Sequence, residues 1–166
     1  MTSPESPPLA PLVVRRARQE DLDAAAVLAG RLVHLHHDVD AARFFLPDDV
    51  ERGYTHWLGR ELKRREAVVL VATRGDEVVG YSYGTLEGRD WNALLDQHGA
   101  IHDIYIADSE RRRGTGRRLL DAIVTELEGL GAPRIVLATM VSNTAAQRLF
   151  ASAGFRATML EMTRGG

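Results

Sequence analysis

The chain has 166 residues, 45% hydrophobic and 27% charged, which suits one soluble globular domain and excludes a disordered chain. Lys and Arg number 21 against 23 Asp and Glu, and the net charge of −2 argues against a nucleic-acid protein built on a global basic field. Cysteine is absent, so disulfides, thiolate metal sites and a cysteine nucleophile are excluded, and a cytoplasmic location is expected.

Met1 to Pro11 is polar and proline-rich, without the basic and apolar regions of a secretory signal. It reads as a disordered lead-in over 1–11 to a single domain over 12–166. No apolar run approaches the ~20 residues of a membrane span, so no membrane partner is expected. Leu12-Val13-Val14-Arg15 reads as a first strand. Glu20 and Asp21 open a helical stretch whose stripe is Leu22, Ala25, Ala26, Ala29, Leu32, Val33 and His36. A second helix is expected after Pro47, with Val50, Tyr54, Trp57, Leu58 and Leu62 as its apolar face. Ala67 to Thr73 and Glu77 to Leu86 read as a hairpin about Arg74-Gly75-Asp76. Gly88 to Gly99 is a looser link holding a helical turn around Trp91 to Leu95. Ile101 to Ile106 reads as a strand, Gly114 to Leu130 as a helix and Arg134 to Met140 as a strand. Asn143 to Ala153 follows as a helix and Arg156 to Arg164 as a last strand. This order predicts an α/β mixed sheet with helices on both faces.

Chemistry concentrates in Ile104 to Leu120, where a strand feeds an Arg- and Gly-rich loop and then a helix. The free N–H groups of a helix start, glycines that allow close approach and Arg111, Arg112, Arg113, Arg117 and Arg118 together make a pyrophosphate seat. A dinucleotide fingerprint needs glycine at position 119, which is Leu, and no Walker run exists.

Arg111-x-x-Gly114-x-Gly116 resembles the acyl-CoA pyrophosphate motif of the GNAT superfamily of N-acetyltransferases. Asn143-x-x-Ala146-x-x-Leu149-Phe150-x-x-x-Gly154-Phe155 is similar to that family's second motif, and the element order also matches from Leu12 onward. The resemblance implies a mostly antiparallel sheet of six to seven strands, splayed between the fourth and fifth, with about four helices. It implies acetyl transfer from acetyl-CoA to a primary amine by direct attack, with a catalytically weak acyl-CoA-binding module as the alternative. Pantetheine would pair with the backbone of Ile104 and Ile106. The pyrophosphate would rest on Arg111, Arg112, Arg113, Gly114, Thr115, Gly116 and Arg117, and Asn143 and Phe150 would complete the cofactor contacts.

Where many members carry the tyrosine that protonates the departing thiolate, this chain has Phe150, which cannot donate a proton and also fits a helical core stripe. For the base, His102 occupies the position of the family's carboxylate and Asp103 follows it, with Tyr105 and Tyr83 as further candidates. An unperturbed imidazole, with a pKa of about 6.5, suits that task at neutral pH. His34, His36, His37, Asp38 and Asp40 do not supply the convergent ligands of a zinc site, and no metal is expected. By the same resemblance His37, Asp38, Phe44, Phe45 and Tyr83 would wall the acceptor, giving it acid and aromatic character suited to a cationic amine. A single last strand leaves a sheet edge exposed, so a homodimer through Arg156 to Arg164 is expected.

Overall fold

Each strand-forming run between residues 12 and 137 pairs with the next strand-forming run along the chain. The computed structural model describes residues 9–165. It forms one sheet of β1 (Leu12–Arg16), β2 (Ala67–Arg74), β3 (Glu77–Glu87), β4 (His98–Ile106) and β5 (Ile135–Leu137), paired in that order. The first four strands run antiparallel and β5 joins β4 in parallel. Helices α1 (Leu22–Val39) and α2 (Val50–Glu61) cover one face, and α3 (Thr115–Gly129) and α4 (Thr144–Ser152) the other. The expected lead-in over 1–11 falls mostly outside the described residues.

Strand β2 explains this layering. Alternate side chains point to opposite faces, so Val69 and Val71 pack under α1 and α2 while Val68, Leu70 and Ala72 pack under α3. A strand buried on both faces has no polar alternation to keep, which is why Ala67 to Thr73 is a nearly unbroken apolar run. The turn to β3 is tight: Arg74 pairs with Glu77, and Gly75 takes the left-handed conformation at φ 57°. Asp21 fixes the entry to α1. Its carboxylate accepts both Arg15 guanidinium N–H groups at 2.6 and 2.9 Å and the Arg18 backbone N–H at 2.7 Å.

Three expectations are corrected. The sheet has five strands among the described residues, not six or seven, and no strand forms over Arg156 to Arg164. The alternation there is strand-like, but β5 offers an edge only three residues long. Glu161 is instead drawn to Arg43 in the α1–α2 link by a bidentate ion pair. Around Trp91 the chain makes a turn rather than a helical one, with Asp90 bridging Leu95 and its Oδ1 accepting the N–H groups of Asn92 and Ala93.

Candidate active site

Two pairing irregularities coincide on β4. Between Tyr83↔Asp103 and Gly84↔Ile101 the β3–β4 register shifts, leaving His102 as the extra residue of a bulge. The β4–β5 pairing also stops there: Gly99, Ala100 and Ile101 have β5 partners, whereas the strand continues to Ile106. The N–H of Ala107 donates to the Val79 carbonyl at 2.9 Å, so by antiparallel alternation Tyr105 and Asp103 bond toward β3. Ile104 and Ile106 therefore turn their backbone N–H and C=O groups into the gap beside β5.

Beyond this gap lies the start of α3. Gly114 is its N-cap at φ 79°, with open space where a Cβ would sit, and Arg112 holds the left-handed region at φ 61°. A cradle of this kind, with the first-turn N–H groups free, fits a pyrophosphate. It is anchored from below. Buried Thr115 donates to Glu110 at 2.8 Å, and buried Glu110 accepts Arg74 Nε at 2.6 Å. Arg74, and Thr115 with it, hold the Glu110 carboxyl below the ordinary range. Arg111 pairs with Asp108 at 2.7 Å, and Arg117 with Asp121 at 2.8 Å and the Ser152 carbonyl at 3.1 Å. Arg112, Arg113 and Arg118 make no salt bridge among the described residues, so their charge is free for a ligand. Asn143 caps α4 by accepting the Ala146 N–H at 3.1 Å. Phe150 is buried and sets its ring edge-on to Phe155, 6.1 Å between centroids, in the α3–α4 core.

On the opposite face a cavity of about 580 Å³ is walled by the α1–α2 link and floored by β4. Phe44, Phe45, Tyr54 and Trp57 line it together with His102 and Asp103. From α1 it is His36 that faces the cavity, edge-on to Phe44 with centroids 4.9 Å apart; His37 and Asp38 lie outside its lining. His37 closes the link instead, its Nδ1 lying 2.8 Å from the Phe44 carbonyl. Asp103 receives Tyr81 and, at 3.4 Å, Tyr54 on Oδ2. Burial pushes its carboxyl up, against the pull of those hydroxyls. Tyr83 stacks on His102 at 5.3 Å and donates to buried Glu61 at 2.6 Å. Its hydroxyl is thereby committed, and burial with the Glu61 bond raises its pKa. Tyr105 packs against the α1–α2 core cluster. Tyr54, Trp57, Tyr81 and Glu61 form the site's supports, none of them singled out by a local motif.

The raised Asp103 pKa carries a stability consequence. The folded chain holds this proton more tightly than the unfolded one, so the group's contribution is present below the ordinary carboxylate range and is lost as pH rises through its raised value. Asp103→Asn is expected to raise Tm at neutral pH by about 3 °C, as roughly 1 kcal/mol does in a domain of this size, and to shrink the gain at acid pH. Paired thermal melts at both pH values check it.

The Acetyltransferase (GNAT) family model matches residues 33–155, the stretch that holds both the cradle and the bulge. The chain belongs to the GNAT acetyltransferase family. Among curated relatives, an L-methionine sulfoximine/L-methionine sulfone acetyltransferase from Pseudomonas paraeruginosa is 28% identical over 101 residues, 60% of this chain. The match spans 56% of that relative's own length. A tetramutant of the BH1408 protein from Bacillus halodurans shares the fold, with a TM-score of 0.79 at 20% identity, over 92% of this chain and 99% of that one. An aminoglycoside N-acetyltransferase in complex with CoA does so at 0.70 and 16%, over 98% and 99%. These likenesses place the five strands and four helices in the GNAT architecture. No helix among the described residues is long and apolar enough to cross a membrane.

Proposed function

We propose that this chain is an acetyl-CoA-dependent N-acetyltransferase whose acceptor is a primary amine entering the cavity between the α1–α2 link and β4. One observation carries the reading: at the His102 bulge, the gap for an extended thiol arm and the acceptor cavity meet on a single strand. The family membership, and the CoA complex of a neighbour with the same fold, support it.

Ile104 and Ile106 would pair with the amides of the pantetheine arm. The N–H groups from Arg112 to Arg117 would hold the pyrophosphate, assisted by Arg111, Arg113 and the Asn143 region. Bound acetyl-CoA supplies a thioester acetyl group with a good leaving group. Asp103, with Asp48 and Asp49 also on the cavity wall, would draw in a cationic amine, with Phe44 and Trp57 giving it aromatic surface to pack on. His102 would then take one proton from the ammonium, freeing the nitrogen lone pair to form the new C–N bond as the C–S bond breaks. Water would carry the second N–H proton of that nitrogen to the departing thiolate, since Phe150 is a core residue. That same phenylalanine is what favours the second reading, a weakly catalytic acyl-CoA-binding module.

A panel of small amines, aminoglycosides, amino acids and peptide amines, each mixed with acetyl-CoA and followed by thiol release, separates the two. Turnover with at least one amine is expected, and tight CoA binding with no thiol release from any would establish the module. We also place the enzyme in the cytoplasm as a homodimer. Met159, Leu160 and Met162 stand exposed in the segment after α4, apolar surface that a second copy would cover. Light scattering at micromolar concentration is expected to give twice the 18.3 kDa chain mass, and a monomer mass would count against the pairing.

A further inference from the structure

The hydrogen-bonding capacity of three side chains beside the bulge decides which nitrogen of His102 is free. His102 Nε2 lies 2.8 Å from Thr85 Oγ1 and 3.5 Å from Glu87 Oε1. Thr85, fully buried on β3, donates its hydroxyl to the same Glu87 oxygen. A hydroxyl has one hydrogen, and a carboxylate can only accept. With that hydrogen committed to Glu87, Thr85 Oγ1 has only lone pairs left for the ring, and Nε2 must carry a hydrogen. The ring is held further by its stacking on Tyr83, whose own hydroxyl is tied to Glu61. Nδ1 makes no hydrogen bond among the described residues, and the side chain lines the acceptor cavity.

We infer that Thr85 and Glu87 are positioning residues that lock neutral His102 in its Nε2–H tautomer and leave Nδ1 as the nitrogen that accepts the acceptor's proton. The assignment rests on His102 being the base. In the transfer an N–H bond of the substrate ammonium breaks and an Nδ1–H bond forms. The imidazolium so produced keeps its Nε2–H on Thr85, with the Glu87 carboxylate behind it to balance the charge. Neither residue touches the acceptor in this arrangement; both act through the ring.

Ring nitrogen-15 spectra of the full chain, at a pH where the imidazole is neutral, read the tautomer without any turnover. The His102 signals are identified by their loss in His102→Gln. The unmodified protein is expected to show Nε2 protonated and Nδ1 bare. Thr85→Val combined with Glu87→Ala leaves Nε2 with neither oxygen. That variant is expected to show both tautomers and about a tenfold lower kcat, with KM for acetyl-CoA unchanged. Thr85→Ser, which keeps the hydroxyl, is expected to restore the single tautomer and most of kcat. Protonated Nδ1 in the unmodified protein, or a double variant that retains the pure Nε2–H form or full kcat, overturns the assignment. Failure of the base reading looks different: His102→Ala would turn over normally while the spectra still showed the Nε2–H form.

Discussion

His102→Ala is expected to lower kcat by about a hundredfold or more while calorimetric CoA affinity stays within about twofold. The expectation follows from position. His102 is the bulged residue where β4 parts from β5, it lines the acceptor cavity, and only one of its ring nitrogens is engaged. The cradle lies at the far end of the gap, on α3, so truncating the ring leaves CoA contacts in place. The pH profile of kcat/KM tests the same arrangement. Burial and the Asp103 carboxylate push the Tyr54 and Tyr81 hydroxyls up, and burial with Glu61 does the same at Tyr83. A phenol with a raised pKa stays protonated through the neutral and mildly alkaline range, so none of the three adds an alkaline limb. The profile should rise with one ionisation and then level off. A bell-shaped profile together with a fully active His102→Ala would move the chemistry to Tyr105.

How legible each part was in advance depends on whether its signal is local. The phosphate cradle needs a strand end, glycines and a helix start within a dozen residues, and Ile104 to Leu120 displays all of them. Strand β2 was equally open, because burial on both faces writes itself as an apolar run. The acceptor site was only half visible. His102 and Asp103 could be placed only by the family resemblance of the strand that precedes the glycine loop. Thr85, Glu87, Tyr81 and Glu61 come from other elements, and the β3–β4 register and one bulge bring them there. No spacing along the chain encodes that register. The shift from His37 to His36 at the cavity wall has the same origin. One residue is about 100° of helix, and where α1 sits on the sheet decides which ring faces in. The missing last strand shows the reverse limit: alternation over Arg156 to Arg164 expresses a local tendency, but a ladder also requires an edge of adequate length beside it.

At the cradle itself, Gly116→Asp is expected to weaken CoA binding by about a hundredfold or more while leaving the fold intact. A Cβ at this position would lie 3.4 Å from Leu149 Cδ2 and 3.6 Å from Ile106 Cγ1, ordinary contact distances, so the backbone need not move. Those two neighbours lie on α4 and at the end of β4, so a side chain grown from residue 116 heads between them, toward the gap where the thiol arm would lie. A carboxylate there sits in the first turn of α3, where it is favoured by the helix dipole and competes for the same N–H groups that a phosphate needs. It therefore repels the ligand and substitutes for it at once. Thermal stability should be unchanged or slightly higher, which separates lost binding from lost structure. Gly114→Asp is a harsher change because residue 114 holds φ at 79°, and it should cost stability as well as affinity. If Gly116→Asp binds CoA as tightly as the unmodified chain by calorimetry, the pyrophosphate does not rest on this loop, and the backbone edge at Ile104 and Ile106 must carry the ligand alone.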